Sequence, residues 1–186
     1  MGAIAASNTT VFSGGACNAI NAEGQKTRGT GRDSLNDWLN ERAIPFFDPQ
    51  IHEDTHGRGY NYDEDGPAEQ AARAAAQVTL YEISGDTLGG VTHLEALADA
   101  LKGKTVVIWF NSSLDAKGKP LFEPLIDIST VDGLAAVHLA QYKSGGDGLR
   151  KNLVAFVGKL PNVTIVYTLG EAQAAIEKSI SPPAMP

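Results

Sequence analysis

The stretch GDTLGGVTHLEALADAL, residues 85–101, places one carboxylate, Glu95, behind glycines and at the start of an alanine- and leucine-rich run. A carboxylate in the first turn of a helix lies beside the positive end of the helix, which keeps it ionised. Gly89 and Gly90 would let a substrate come close, and an ionised carboxylate can attack the anomeric carbon of a sugar. A second interpretation stays open, because Thr92-x-x-Glu95 also matches a capping box, in which the glutamate only folds back onto the N-cap amide.

Other residues at predicted strand and helix ends are candidates for the same site. Glu69, on a predicted helix, would reach the cleft as a proton donor, although a first-turn acid can equally serve the helix dipole. Tyr60 and Tyr62 would stack on a base, although exposed tyrosines are also common in loops. The candidate binding residues are Ser13, Gly14, Gly15, Asp48, Asp86, Gly89 and Gly90.

Several other kinds of site are disfavoured by the sequence. The segment SGGACN, residues 13–18, lacks both the G-x-G-x-x-G pattern and the Walker lysine, so we expect no dinucleotide fingerprint there. The four histidines do not have a convincing metal-ligand spacing. Ser13 has no evident His/Asp partner for a serine hydrolase. We therefore expect neither a metal nor an organic cofactor.

Length, charge and cysteine content limit the class of protein. A chain of 186 residues fits one domain, residues 1–186, with a loose N-terminal arm at 1–9 and a tail at 181–186. The net charge of −7 with scattered basic residues argues against nucleic-acid binding. The apolar runs are too short to cross a membrane. The single cysteine, Cys17, fits a reducing compartment, so we predict a cytoplasmic protein that binds a small molecule.

Predicted strands and helices alternate along the chain. The predicted strands are Thr10–Phe12, Ala43–Phe47, Val78–Ile83, Thr105–Phe110 and Asn162–Tyr167. The predicted helices cover residues 33–42, 67–76, 91–103, 131–142, 148–160 and 171–179, with long loops at 50–66 and 111–129. This alternation predicts a flavodoxin-like, doubly wound α/β sheet of about five parallel strands with helices on both faces. Ligands of such sheets bind at the carboxyl ends of the strands, at a topological switch point.

An ordered set of motifs resembles the nucleoside 2-deoxyribosyltransferase-like family over about residues 10–112. The motifs are VFSGGACN, RDSLNDWL, IPFFDP, VTLYEISGDTLGGVTHLEALADAL and KTVVIWF. The resemblance implies a covalent glycosyl-enzyme intermediate on Glu95, proton transfer assisted by Glu69, and a homo-oligomer. This chain has Gly89 where the family has a sugar-contacting aspartate, and only Asn111 near the family's intersubunit asparagine.

Three functions follow as hypotheses. The first is an enzyme of the N-glycosidic bond of nucleosides or nucleotides, either a deoxyribosyltransferase or an N-ribohydrolase that includes the NAD-cleaving type. The second is a nucleotide-binding module of the same fold without catalysis. The third is a structural domain in which Thr92 and Glu95 only cap a helix.

Overall fold

The structure is a computed structural model that describes residues 8–16, 18–20, 26–28, 32–84, 90–111, 113–114, 120–121 and 148–180. Several predictions lie outside these residues. They concern Asp86, Gly89, Cys17, residues 1–7 of the arm, the helix at 131–142 and the tail at 181–186.

Five parallel strands form the central sheet. The described residues contain these five strands and four shorter ones outside the central sheet. In chain order all nine are β1 (Val11–Gly15), β2 (Asn18–Ile20), β3 (Lys26–Arg28), β4 (Phe46–Phe47), β5 (Val78–Ser84), β6 (Thr105–Asn111), β7 (Ser113–Leu114), β8 (Pro120–Leu121) and β9 (Val163–Val166). The central order is β4-β1-β5-β6-β9, and every neighbouring pair is parallel. This order confirms the predicted flavodoxin-like fold, whose switch point lies between β1 and β5.

Helices cover both faces of the sheet. They are α1 (Asp33–Glu41), α2 (Glu53–His56), α3 (Tyr62–Ala75), α4 (Gly90–Leu101), α5 (148–157) and α6 (Leu169–Ile180). Because side chains alternate along a strand, neighbouring residues enter different cores. Val11 packs with residues of α1 and α6, whereas Phe12 packs with residues of α3, α4 and α5. The near-continuous apolar character of β5 and β6 follows from burial on both sides.

The first two predicted strands have different bounds in the structure. β1 continues to Gly15, three residues beyond the predicted end of this strand at Phe12. β4 contains only Phe46–Phe47, because Ala43 has a φ of 53° and its N–H bonds back to Asn40 at the end of α1. Two short antiparallel pairs, β2 with β3 and β7 with β8, lie outside the predicted strands, and β7 and β8 fall within the predicted loop 111–129.

The start of α3 is also different from the prediction. Asn61 is the N-cap, and its side chain accepts a hydrogen bond from the N–H of Asp63. Pro67 is therefore the sixth helical residue rather than a first-turn proline. Three acidic residues in the first turn favour this earlier start, because they lie at the positive end of the helix. The predicted loop 50–66 consequently contains α2 and the first turn of α3.

Gly14 is needed for packing within β1. An alanine Cβ at this position would lie 2.8 Å from both Phe12 Cε1 and Tyr81 Cδ1, two atoms of packed rings. Overpacking of this kind is expected to lower the free energy of unfolding of Gly14→Ala by about 1–3 kcal/mol. Urea unfolding measures the change. In the control Gly170→Ala, the new Cβ would meet no atom within 4 Å other than those of its chain neighbours and the adjacent backbone of its own helix, so the free energy of unfolding should not fall. Equal stability of Gly14→Ala and the wild type would contradict the prediction.

No helix among the residues that the structure describes is both long enough and apolar enough to span a membrane.

Candidate functional site

A pocket of about 470 Å³ lies at the carboxyl end of β1, beside the switch point of the sheet. The end of β1 and Pro49 form its base, and residues of the α3 and α4 segments form its walls. The lining residues are Gly14, Gly15, Ala16, Pro49, Tyr60, Tyr62, Glu69, Gly90, Val91, Thr92 and Glu95. The pocket thus brings together both predicted catalytic acids and three of the predicted glycines. It is large enough for a small organic molecule.

Glu95 lies deeper in its helix than the sequence suggested. α4 begins at Gly90, so Glu95 is its sixth residue and belongs to the second turn. Thr92 lies inside the helix and therefore cannot be the N-cap of a capping box, which makes that interpretation wrong. Glu95 instead forms an ion pair, because its Oε1 lies 3.0 Å from Nη1 of Arg73. The positive charge beside Glu95 therefore comes from Arg73 and not, as we expected, from the N-terminal end of α4.

The pKa of Glu95 reflects two opposing influences. Burial raises its pKa, since the side chain is only 22% exposed and loses hydration. Arg73 lowers the pKa, and the neighbouring charges of Glu69 and Asp99 raise it. The net shift is upward from the usual value of a glutamate. A raised pKa in a cleft is typical of functional carboxyl groups, although structural ion pairs also produce one.

Arg73 belongs to a buried polar cluster under Glu95. Its Nε and Nη2 lie 2.9 and 3.0 Å from the two carboxylate oxygens of Asp99, and its Nη2 also donates to the Glu95 carbonyl at 2.9 Å. The hydroxyl of Tyr81 donates to Asp99 at 2.6 Å. Lys104 Nζ lies 3.6 Å from Asp99 and donates to the carbonyl of Arg73.

The surroundings fix the ionisation of this cluster. Burial works against the charge of Asp99, but hydrogen bonds from Arg73 and Tyr81 outweigh it and lower the pKa of Asp99. Burial, followed by the hydrogen bond to Asp99, raises the pKa of Tyr81. Our sequence analysis missed the cluster. The available signal was the pair of acids at Glu95 and Asp99, four residues apart on one helix face, which calls for a cation.

Tyr60, Tyr62 and Glu69 lie together at the pocket wall. The hydroxyl of Tyr60 donates to Glu69 Oε2 at 2.6 Å. Tyr62 is 66% exposed, and its hydroxyl accepts a hydrogen bond from Gln70. Both tyrosines and the predicted proton donor thus line the same pocket.

Arg58 and Asp65 hold the segment before α3 against the first turn of that helix. The guanidinium of Arg58 donates to both oxygens of Asp65 at 2.7 and 2.5 Å, and the N–H of Asn61 donates to the same carboxylate. The hydrogen bonds from Arg58, and to a smaller extent that from Asn61, lower the pKa of Asp65 to about 2. Asp65 is therefore ionised at neutral pH and ties the segment that carries Tyr60 to α3.

Ser13 and Asp48 do not line the pocket. Ser13 is fully buried, and its Oγ donates to Asn36 Oδ1 at 3.0 Å. Asp48 Oδ1 lies 3.0 Å from Nη1 of Arg32, and Asp48 Oδ2 accepts from Asn36 Nδ2 at 2.6 Å. Arg32 is also fully buried and donates to the carbonyls of Ser13 and Gly15. These side chains lie on the α1 side of β1, opposite to Gly14, and hold the carboxyl end of that strand.

Gly15 allows this arrangement by its lack of a side chain. An added Cβ there would meet Arg32 Nε and the carbonyl oxygen of Glu82 at 3.0 Å each. Gly15 therefore makes room for the buried arginine on one side, while its backbone contributes to the pocket.

Within the described part of the chain, no three histidine, cysteine or carboxylate side chains lie close enough together to hold a metal ion. No protein-family model matches the chain. No curated protein matches its sequence either. The site is therefore interpreted from its own geometry and chemistry.

Proposed function

We propose that this protein is an enzyme of the N-glycosidic bond of nucleosides or nucleotides, with Glu95 as nucleophile and Glu69 as proton donor. The observation that carries the proposal is that both acids line one pocket at the switch point of the sheet. Glycosidic-bond chemistry uses two carboxyl groups at one site, one as an anion and one as an acid.

The reaction has two steps. In the first, a Glu95 oxygen bonds to the anomeric carbon while the C–N bond breaks, and the electron pair of that bond leaves with the base. Glu69 transfers a proton to the departing base. In the second step, water or another base attacks the same carbon, the ester to Glu95 breaks, and the incoming nucleophile gives its proton to the Glu69 carboxylate, which restores both acids with overall retention of configuration. Nucleoside deoxyribosyl transfer is the form that we favour, and hydrolysis is the alternative.

The pocket walls suit such a substrate. Tyr60 and Tyr62 offer aromatic faces for stacking with a base. The backbone of Gly14 and Gly15 also lines this pocket, where a sugar could lie against it. Neither the proposed chemistry nor this recognition needs a metal or an organic cofactor.

One observation favours a second candidate function, a nucleoside-binding module without catalysis. Glu95 already has an ion-pair partner in Arg73, and a carboxylate with that structural role need not react. A module of this kind would bind the same ligands in the same pocket and release no base.

A chromatographic assay separates these functions. The protein is incubated with nucleosides, deoxynucleosides, their monophosphates and NAD, with and without a free acceptor base. Base release or exchange supports the enzyme, and dependence on the acceptor base separates a transferase from a hydrolase. Ligand-induced thermal stabilisation without any product would favour the binding module instead, since a ligand of the native state raises its stability.

We also expect a homo-oligomer. Val91, Leu94 and Leu101 lie along one face of α4 with exposed fractions of 71%, 67% and 68%. Contiguous exposed apolar residues are typical of protein interfaces. Light scattering should give a multiple of the 19.6 kDa chain mass, and Leu94→Lys should reduce it to one chain. A monomeric wild-type protein at assay concentration would contradict this expectation.

A further inference from the structure

We propose that Arg73 is a positioning residue for catalysis, which fixes Glu95 through its Oε1 and leaves Oε2 for the anomeric carbon. The inference rests on the proposed function, because it assigns a role within that reaction. Arg73 is not among the lining residues of the pocket, so it would act through Glu95 rather than on the substrate.

The first step of the argument is geometric. Arg73 holds Glu95 at two points, with Nη1 at 3.0 Å from Oε1 and Nη2 at 2.9 Å from the main-chain carbonyl. Two contacts from one planar guanidinium fix both the side chain and the helix turn that carries it. Among the described residues, no other hydrogen bond to the Glu95 carboxylate is present, so Oε2 remains available.

The second step concerns what holds Arg73 itself. Asp99 binds the guanidinium through both of its oxygens, and Tyr81 and Lys104 in turn fix Asp99. The guanidinium also lies over the Tyr81 ring, with Cζ 5.9 Å from its centroid. Arg73 is only 17% exposed. A cation fixed in this way needs little rearrangement during the reaction, which is the condition for electrostatic preorganisation.

The third step concerns charge. Four charged groups act on Glu95, namely Arg73 and Glu69 from α3, Asp99 from α4, and Arg32 before α1. Burial and the two acids favour the protonated form of Glu95, whereas the two arginines favour the anion. A nucleophile has to be the anion. Loss of Arg73 would therefore raise the pKa of Glu95, so the acidic limb of the pH–rate profile would move to higher pH.

The experiment measures kcat and KM for base release or exchange from pH 4 to pH 9, in the wild type, Arg73→Met and Arg73→Lys. In Arg73→Met we expect the acidic limb to move up by about one pH unit. We expect kcat at pH 7 to fall by about 10- to 100-fold, the size of effect that misplacing a reacting group produces, while KM changes little. Arg73→Lys keeps the positive charge but loses the planar guanidinium. Its acidic limb should therefore lie close to that of the wild type, while its kcat should remain reduced.

The matched control is Arg42→Met. Arg42 also forms an ion pair, with Glu177 at 3.0 Å, but its side chain is exposed and lies at the end of α1. Its replacement should leave the profile unchanged. If Arg73→Met alone does not fold, Arg73→Met/Asp99→Asn removes one charge of each sign. Its acidic limb should move up by less than that of Arg73→Met, because the charge of Asp99 itself raises the pKa of Glu95. An acidic limb at the wild-type position in a folded Arg73→Met protein would overturn the inference.

A direct titration separates this inference from the proposed function. The carboxyl carbon of Glu95 is followed by NMR in ¹³C-glutamate-labelled protein without substrate, and its signal is identified by its loss in Glu95→Gln. If the wild type turns over no substrate, the proposed function fails. The titration midpoint still decides whether Arg73 controls Glu95: a higher midpoint in Arg73→Met supports that control, and an unchanged midpoint overturns it.

Discussion

Glu95→Gln is expected to lower kcat for base release or exchange by about a thousandfold or more, the scale seen when a covalent nucleophile is removed. The amide has nearly the shape of the carboxylate and can still accept a hydrogen bond from Nη1 of Arg73. It cannot supply the anion that attacks the anomeric carbon. The protein should therefore stay folded and bind ligands, which thermal shift measures alongside the chromatographic assay.

A covalent intermediate gives a second readout of the same prediction. Acid quenching during turnover should leave a glycosyl mass on the peptide that contains Glu95, and none in Glu95→Gln. The matched control is Glu177→Gln, since Glu177 is an exposed glutamate whose ion pair lies far from the pocket. Turnover at the wild-type rate by a folded Glu95→Gln protein would rule out the proposed mechanism.

The second large effect is expected on stability, in Asp48→Ala. Asp48 faces Arg32, whose side chain is fully buried, at 3.0 Å. Removal of one partner of a buried pair leaves an uncompensated charge, and we expect a loss of about 3–5 kcal/mol in the free energy of unfolding. The substitution also removes the acceptor for Asn36 Nδ2 and for the main-chain N–H of Gln50. Urea unfolding at pH 7 measures the loss.

The control for Asp48→Ala is the exposed pair of Arg42 and Glu177. Glu177→Ala should change the free energy of unfolding by less than about 1 kcal/mol, because exposed ion pairs contribute little. The sequence predicts instead that Asp48 binds the substrate. A stable Asp48→Ala protein with a strongly raised KM would favour that binding role over the structural one.

The sheet was predictable because its signal is local. β5, β6 and β9 are apolar, β-branched runs between helical segments, and their parallel pairing follows from that alternation. The start of α3 does not follow from the sequence alone, because Pro67 predicts a later first residue than the acidic first turn and the N-cap at Asn61 do. Position in the chain alone does not decide between these two competing signals.

The candidate site was predictable only in part. The sequence placed Glu95 and Glu69 near one strand end, and the pocket contains both. Ser13 does not belong to the pocket because residues alternate between the two faces of a strand, so its side chain lies on the face of β1 opposite to the one that Gly14 presents. Arg73 was missed since its partners, Glu95 and Asp99, come from a different helix, and pairing between helices depends on the tertiary fold.

The ion pairs of Arg73 have a mechanical consequence for the pocket. Arg73 comes from α3, and the carboxylates that it holds come from α4, so one side chain braces the two walls of the cavity against each other. The width between these walls is thus set before any ligand arrives. A braced cavity accommodates a ligand at little cost in ordering its own walls. We expect it to select ligands by size, because admitting a larger molecule would require the brace to break.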